Sequence, residues 1–203
     1  MQTRKLWTVA IVVAVTCGVS AALAYPPAVG ILGTATSCNS CHVDNGPWGD
    51  ESKTIVDIID KVTGKSLRQE DGVFLIEAKR FESKTVMTVI GRIAGDSAIS
   101  PYRNAWLYID PSQIGTGASS KFAPGWSVDL PMACRLAGDN APAYQGARVT
   151  ALPMTVRPLD GAGDAILDLH VMLTAGESVK GDATKGILSN YLSRKVRLRV
   201  IEP

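Results

Sequence analysis

The sequence predicts a mainly β protein, a single β-sandwich-like domain with an extended N-terminal arm and one short helix. Charged and apolar residues alternate over 195–200, which is typical of a strand with one buried and one solvated face. Short apolar runs recur between Gly- and Pro-bearing turns, a pattern that favours a sandwich. The arm opens with Pro26-Pro27 and contains Gly30 and Gly33, which argues against a stable helix there.

The first predicted strands follow the arm. Residues 55–62 fit both helical and strand spacing, but their many β-branched side chains and the following Thr63-Gly64-Lys65 turn favour a strand and a hairpin. Residues 85–93 and 105–109 are rich in β-branched and aromatic side chains, which are enriched in strands.

The middle of the chain predicts three more strands. Over 126–136 the apolar residues share one parity, so an unbroken strand would point them to one face, although Pro131 can interrupt that register. One apolar face consists of Leu152, Met154 and Val156. Another consists of Leu167, Leu169, Val171 and Leu173.

Two elements complete the predicted domain. Asp182 can cap a short helix over 183–192, with apolar residues on one side. The alternating segment 195–200 then closes the sheet at the C-terminus.

The N-terminus predicts an export signal over residues 1–24. Arg4 and Lys5 precede an apolar run over 6–15, and Ala22-Leu23-Ala24 forms a cleavage site of the A-x-A type. The apolar run is shorter than the ~20 residues of a membrane span. We therefore expect an exported protein that is not held in a membrane after cleavage.

Cys38, Cys41 and His42 form a C-x-x-C-H motif in this exported chain. Two thiols at this spacing can add to the vinyl groups of haem as thioethers, and the adjacent imidazole can bind the iron from the proximal side. The motif thus predicts one covalent haem c. The alternatives are a chance match or a redox dithiol followed by an unrelated histidine.

Cys134 is the cysteine that the motif leaves over, because Cys17 lies in the predicted signal. An unpaired thiol in an oxidising compartment needs an explanation. We predict that its thiolate is the distal iron ligand, which would stabilise ferric iron and lower the reduction potential. A buried structural thiol and an intermolecular disulfide are the alternatives.

Other residue types that bind haem iron are predicted to have other roles. His170 shares a strand face with Asp168, opposite the leucine face, which predicts an exposed or hydrogen-bonded surface histidine. Four methionines lie in apolar or strand-like runs and are assigned to the core: Met87, Met132, Met154 and Met172.

Three more residues are candidate neighbours of the haem. Trp48 could cover a haem edge or anchor the arm to the sandwich, and both can hold. Arg103 and Arg135 could pair with haem propionates, but arginines at such positions are mostly solvated, so neither is assigned to the site.

Length and charge suit one domain that does not bind nucleic acid. The chain has 203 residues, with 21 basic and 19 acidic side chains, and the predicted signal removes two of the basic ones. A charge near zero indicates neither nucleic acid nor an anionic membrane as a partner. The predicted organisation is a signal peptide (1–24), a haem-attachment arm (25–52) and a β-sandwich domain (53–203).

The segment 30–42, GILGTATSCNSCH, followed by Asn45-Gly46-Pro47-Trp48, resembles the mono-haem subunits of the heterodimeric NaxLS cytochrome c of anaerobic ammonium-oxidising planctomycetes. The resemblance implies a low-potential haem with His42 as the proximal and Cys134 as the distal ligand. It also implies a homologous haem-bearing partner subunit and a location in the periplasm or the anammoxosome lumen.

These observations predict a c-type cytochrome that transfers electrons at low potential to and from redox partner proteins. The competing hypothesis is a haem sensor in which NO or CO displaces Cys134. An enzyme is the least favoured class, because the sequence offers no clear acid, base or second metal cluster for a haem pocket.

Overall fold

The computed structural model describes residues 44–108, 123–130, 135–139, 141–175 and 188–202, all of which belong to one compact unit, Cys38–Pro203. These residues contain nine strands and two 3-10 turns, Glu51–Lys53 and Pro142–Tyr144. The strands are β1 (Thr54–Asp60), β2 (Phe74–Lys79), β3 (Lys84–Arg92), β4 (Tyr102–Tyr108), β5 (Trp126–Asp129), β6 (Arg135–Leu136), β7 (Arg148–Pro158), β8 (Ala165–Thr174) and β9 (Ser189–Ile201).

The strands form two sheets, which confirms the predicted mainly β, sandwich-like fold. One sheet has the order β1-β3-β7-β5 and is antiparallel throughout. The other has the order β2-β9-β8-β4-β6, in which β2 and β9 are parallel and the remaining pairs antiparallel. Strands β1, β3, β4, β7, β8 and β9 overlap the strands predicted from the sequence.

The main core consists of side chains from both sheets, as the alternation of apolar residues predicted. On β8 the predicted leucine face is fully buried, and β7 and β9 contribute in the same way. Full burial of one such side chain stabilises the fold by roughly 1.5–3 kcal/mol. The residues concerned are Leu167, Leu169, Val171 and Leu173 on β8, Met154 and Val156 on β7, and Val196 and Leu198 on β9.

The other face of β8 is less exposed than predicted. His170 does share this face with Asp168, but only 7% of its surface is exposed, and Met172 is 1% exposed. Trp106 on β4 and Tyr191 on β9 pack with Met172 in a cluster separate from the main core. His170 is therefore a buried residue and not an exposed one, because the neighbouring strands place large side chains around it.

The segment 126–136 does not form one unbroken strand, in line with the interruption that Pro131 allowed. β5 pairs with β7 in the four-stranded sheet, whereas β6 pairs with β4 in the five-stranded sheet. The two strands therefore do not share one period-2 parity, and Trp126 lies in the core while Leu136 is 49% exposed. Cys134 itself lies outside the described residues.

The predicted helix over 183–192 is wrong at its C-terminal end. Ser189 to Leu192 form the start of β9 and pair with β8, where Leu192 is buried opposite Val171. Pairing along β8 satisfies the backbone of this segment and overrides its local helical pattern. Residues 182–187 lie outside the described part of the chain.

The predicted signal peptide and most of the predicted arm also lie outside the described residues. In the part of the chain that the structure covers, no helix is both long and apolar enough to cross a membrane.

Candidate functional site

The predicted site residues lie outside the described part of the chain: Cys38, Cys41, His42 and Cys134. The nearest described residues are Asp44, two residues after the motif, and Arg135, one residue after Cys134. Asp44 forms a bridge to β9 and Arg135 lies in β6, so both flanking segments contact the five-stranded sheet.

Asp44 fixes the chain that leaves the motif to the start of β9. It forms a parallel bridge with Ser189, and the Gly46 backbone nitrogen donates to the Ser189 carbonyl at 2.8 Å. The Asp44 carboxylate accepts hydrogen bonds from Asn190 Nδ2 at 2.8 Å and from the Tyr191 backbone nitrogen at 3.3 Å. The motif is therefore tied to the sandwich only two residues from its histidine.

Trp48 anchors the same segment in the main core, where its side chain has no exposed surface. Its backbone nitrogen donates to Asn190 Oδ1 at 2.8 Å, and its Nε1 donates to the Ile99 carbonyl at 2.9 Å. The anchoring role predicted for Trp48 is thus confirmed. The proposed cover over a haem edge stays a prediction.

Arg92 supports the anchor from β3 and is 1% exposed. Its Nη1 donates to the carbonyls of Trp48 at 3.2 Å and Asp50 at 3.1 Å, and also to the Thr54 hydroxyl. Its Nε donates to Asp96 Oδ2 at 2.7 Å. This hydrogen bond lowers the pKa of Asp96 against the opposing effect of burial.

Arg92 was not predicted as part of the site. The signal in the sequence was its position at the end of a predicted apolar strand, because an arginine that continues a buried strand needs carbonyl or carboxylate partners.

One row of paired residues connects the two flanking segments across the end of the five-stranded sheet. The pairs run from Asp44 to Ser189, then to Thr174, Tyr102 and finally Leu136. Four strand spacings of about 4.8 Å place the two ends about 19 Å apart in a flat sheet. The segment after the motif and the segment after Cys134 thus meet the same end of one sheet.

The outer face of this sheet carries the buried His170. Its Nδ1 is hydrogen-bonded to the Tyr191 hydroxyl, and the two ring centroids are 5.3 Å apart. Burial lowers the pKa of His170 and outweighs the opposite effect of nearby Asp168, so the imidazole is neutral at neutral pH. Beside it on β4, Trp106 Nε1 is buried and has no hydrogen-bond partner.

Arg103 is fully buried on the inner face of β4, which corrects its assignment to the solvated surface. All three guanidinium nitrogens lack hydrogen-bond partners. Burial, and then the charge of Arg135, lowers its pKa to about 10, so it remains a cation at neutral pH. An unpaired buried charge costs on the order of several kcal/mol, which marks Arg103 as a residue that lacks an anion.

Among the described residues no three His, Cys, Asp or Glu side chains are grouped to hold a metal ion. Of the residue types that ligate haem iron, the described part offers His170 and the buried methionines. The predicted ligands lie in the adjoining segments.

Comparison with known proteins gives no assignment. No protein-family model matches the chain, and no curated protein does. The chain is similar to a solved family 123 glycoside hydrolase from Clostridium perfringens, studied for glycolipid glycan hydrolysis, with a TM-score of 0.31 and 10% identity. The match covers 74% of this chain and 28% of that one, and at this TM-score it carries no argument about fold or activity.

Proposed function

We propose that this protein is an exported c-type cytochrome that carries one covalent haem and transfers electrons at low potential. The observation that carries the proposal is the C-x-x-C-H motif formed by Cys38, Cys41 and His42. The anchoring of Asp44 supports it, because a haem linked to this motif would be held close to a rigid sheet.

The chain is long enough for His42 and Cys134 to bind one iron. His42 is two residues from Asp44 and Cys134 is two residues from Leu136, so each Cα atom lies within about 7.6 Å of the nearer end of the row. The row from Asp44 to Leu136 is about 19 Å long in a flat sheet. Chain connectivity therefore does not prevent both residues from ligating one iron.

The described sheet also offers a group that fits a haem. Arg103 is a buried donor without a hydrogen-bond partner among the described residues, and it lies on the inner face of β4, the strand that pairs with β6 just after Cys134. Haem carries two carboxylates, and a guanidinium can bind a carboxylate through two parallel hydrogen bonds.

The protein's part in the chemistry is to set the potential and the access of partners, while the haem supplies the one-electron redox step. An anionic Cys134 thiolate opposite neutral His42 would favour the ferric state and give a low potential. We propose no catalytic turnover. The resemblance to NaxLS subunits supports a homologous haem-bearing partner subunit and a location in the periplasm or the anammoxosome lumen.

The experiment that tests this function compares the purified mature protein with a Cys134→Ala variant. Mass spectrometry should find one haem on the chain, bound through Cys38 and Cys41. Electron paramagnetic resonance of the oxidised protein should show a low-spin thiolate-type signal that the variant loses. A mature protein without covalent haem would refute the function, and an unchanged signal in the variant would remove Cys134 from the iron.

A further inference from the structure

Arg103 differs sharply from the other fully buried arginine of the described chain. Arg92 is 1% exposed and hydrogen-bonds to Asp96, to two carbonyls and to a hydroxyl. Arg103 has no exposed surface, yet none of its three guanidinium nitrogens has a partner. Within the described residues the fold therefore binds one buried guanidinium through Nε and Nη1 and leaves all three nitrogens of the other without a partner.

The charged groups near Arg103 leave its donors unbound. Its cross-strand neighbour on β6 is Arg135, and its neighbour on β8 is Leu173. The carboxylate of Asp139 pairs with Arg135 at 2.9 Å and makes no hydrogen bond with Arg103, although its charge partly opposes that of Arg135. An anion that enters this position would bind the unpaired donors of Arg103.

We propose that Arg103 binds a carboxylate, and that in the holoprotein this carboxylate is a propionate of the covalent haem. A planar guanidinium binds a carboxylate through two parallel hydrogen bonds, which suits a carboxylate better than it suits a point anion. Arg135, the paired neighbour of Arg103, directly follows Cys134 in the chain. This inference rests on the proposed function, since it requires a haem beside that segment.

The role of Arg103 has a definite electrostatic consequence. A buried guanidinium close to the haem disfavours the additional positive charge of the ferric state, so it raises the reduction potential. Its removal leaves the propionate ionised and unpaired, which lowers the potential. The effect should be large for a buried charge and small for an exposed one, because solvent screens the exposed charge.

The test measures the reduction potential and the resonance Raman bending mode of the haem propionates in the holoprotein. Three variants are compared with the wild type: Arg103→Met, Arg103→Lys and Arg199→Met. Arg199 is the matched control, because it is partly exposed on β9, pairs with Glu77 at 3.0 Å and loses the same charge when replaced. Arg103→Met should lower the potential clearly more than Arg199→Met, and Arg103→Lys should keep most of the potential.

The propionate mode provides a second signal that a purely structural role would not affect. It should shift in both Arg103 variants and stay in place in Arg199→Met. If Arg103→Met does not fold, Arg103→Lys carries the test, because lysine keeps the charge but loses the paired hydrogen bonds of the guanidinium, so the propionate mode should shift while the potential changes little.

The outcomes separate this inference from the function on which it rests. A haem-loaded Arg103→Met protein with unchanged potential and propionate mode would overturn the role of Arg103 and leave the cytochrome intact. An Arg103→Lys protein whose propionate mode matches the wild type would do the same. A mature protein without haem would overturn both.

Discussion

Asn190 binds Trp48 through the Trp48 backbone nitrogen, which donates to Asn190 Oδ1 at 2.8 Å in the buried interior. The same amide group donates from Nδ2 to Asp44 at 2.8 Å. A single side chain at the start of β9 thus holds both ends of the segment that follows the C-x-x-C-H motif. This arrangement gives the segment that starts at Asp44 a fixed connection to the sandwich.

The first prediction concerns this clamp. Asn190→Ala should lower the free energy of unfolding by roughly 1–3 kcal/mol, because the buried Trp48 nitrogen loses its acceptor. Denaturant unfolding of wild type and variant measures the difference. Gln69→Ala is the control, since Gln69 is exposed and makes one local hydrogen bond to the Leu67 carbonyl, and it should change stability by less than about 0.5 kcal/mol. Equal effects of the two substitutions would contradict the clamp.

A second prediction uses two glycines of the same segment. A Cβ at Gly46 would lie 2.6 Å from Asn190 Oδ1 and 2.9 Å from the Ser189 carbonyl carbon, whereas a Cβ at Gly49 would meet only Asn190 Nδ2 at 3.6 Å. Gly46→Ala should therefore displace the segment and destabilise the protein by about 1–3 kcal/mol, as overpacking does. Gly49→Ala should be neutral or slightly stabilising. Thermal unfolding of both variants tests this contrast, and a Gly46→Ala protein as stable as the wild type would refute it.

Local patterns predicted several strands correctly, because the alternation of apolar and polar residues along a strand shows which of its faces is buried. The alternating face of β8 shows this, since its apolar residues occur at every second position and all are buried: Leu167, Leu169, Val171 and Leu173. The C-x-x-C-H motif is equally local, which is why the predicted haem attachment could be read from the sequence without a fold.

Features that depend on distant strands were predicted poorly. Pro131 indicated that the strand could be interrupted between Asp129 and Arg135, but the sequence there does not indicate that the two parts join different sheets. Leu192 carries a helical pattern locally, but its partner Val171 on β8 makes it part of a strand. The burial of Arg103 follows from its shared parity with the core residues Ala105 and Leu107, a signal that was present but outweighed by the usual exposure of arginine.

A third prediction follows from the lowered pKa of Asp96. A carboxyl group whose pKa is lower in the folded than in the unfolded state stabilises the fold above the unfolded value near 3.8. This contribution should be lost as the pH falls below about 4 and passes through the folded pKa. Unfolding free energies measured between pH 7 and pH 2.5 should fall with acid in the wild type.

The matched variants for this prediction are Asp96→Asn and Asp129→Asn. Asp96→Asn should be less stable at pH 7, because Arg92 loses its carboxylate, and should lose less stability on acidification. Asp129 is exposed, so its variant should follow the wild-type curve. If the slopes of Asp96→Asn and the wild type coincided below pH 4, Asp96 would not be a source of acid sensitivity.

A fourth prediction concerns the buried imidazole of His170. Its pKa is lowered by burial, so the unfolded chain binds a proton below about pH 6.5 that the folded protein binds only at lower pH. Stability should therefore decrease as the pH falls from 7.5 to 5.5. His170→Gln should flatten the curve in this window and leave the acid transition of Asp96 unchanged. A slope that survives the substitution would assign it to another group.

The same variant decides between the two candidate distal ligands. His170 Nδ1 is engaged with the Tyr191 hydroxyl, and the imidazole lies on the sheet face that also buries Met172. If the iron is bound by His42 and Cys134, the oxidised His170→Gln protein should keep the low-spin thiolate-type signal and the wild-type potential. Met172→Leu is the control, because it changes the same face while it removes no nitrogen. Loss of the low-spin signal in His170→Gln alone would make His170 the ligand and return Cys134 to a structural or intermolecular thiol.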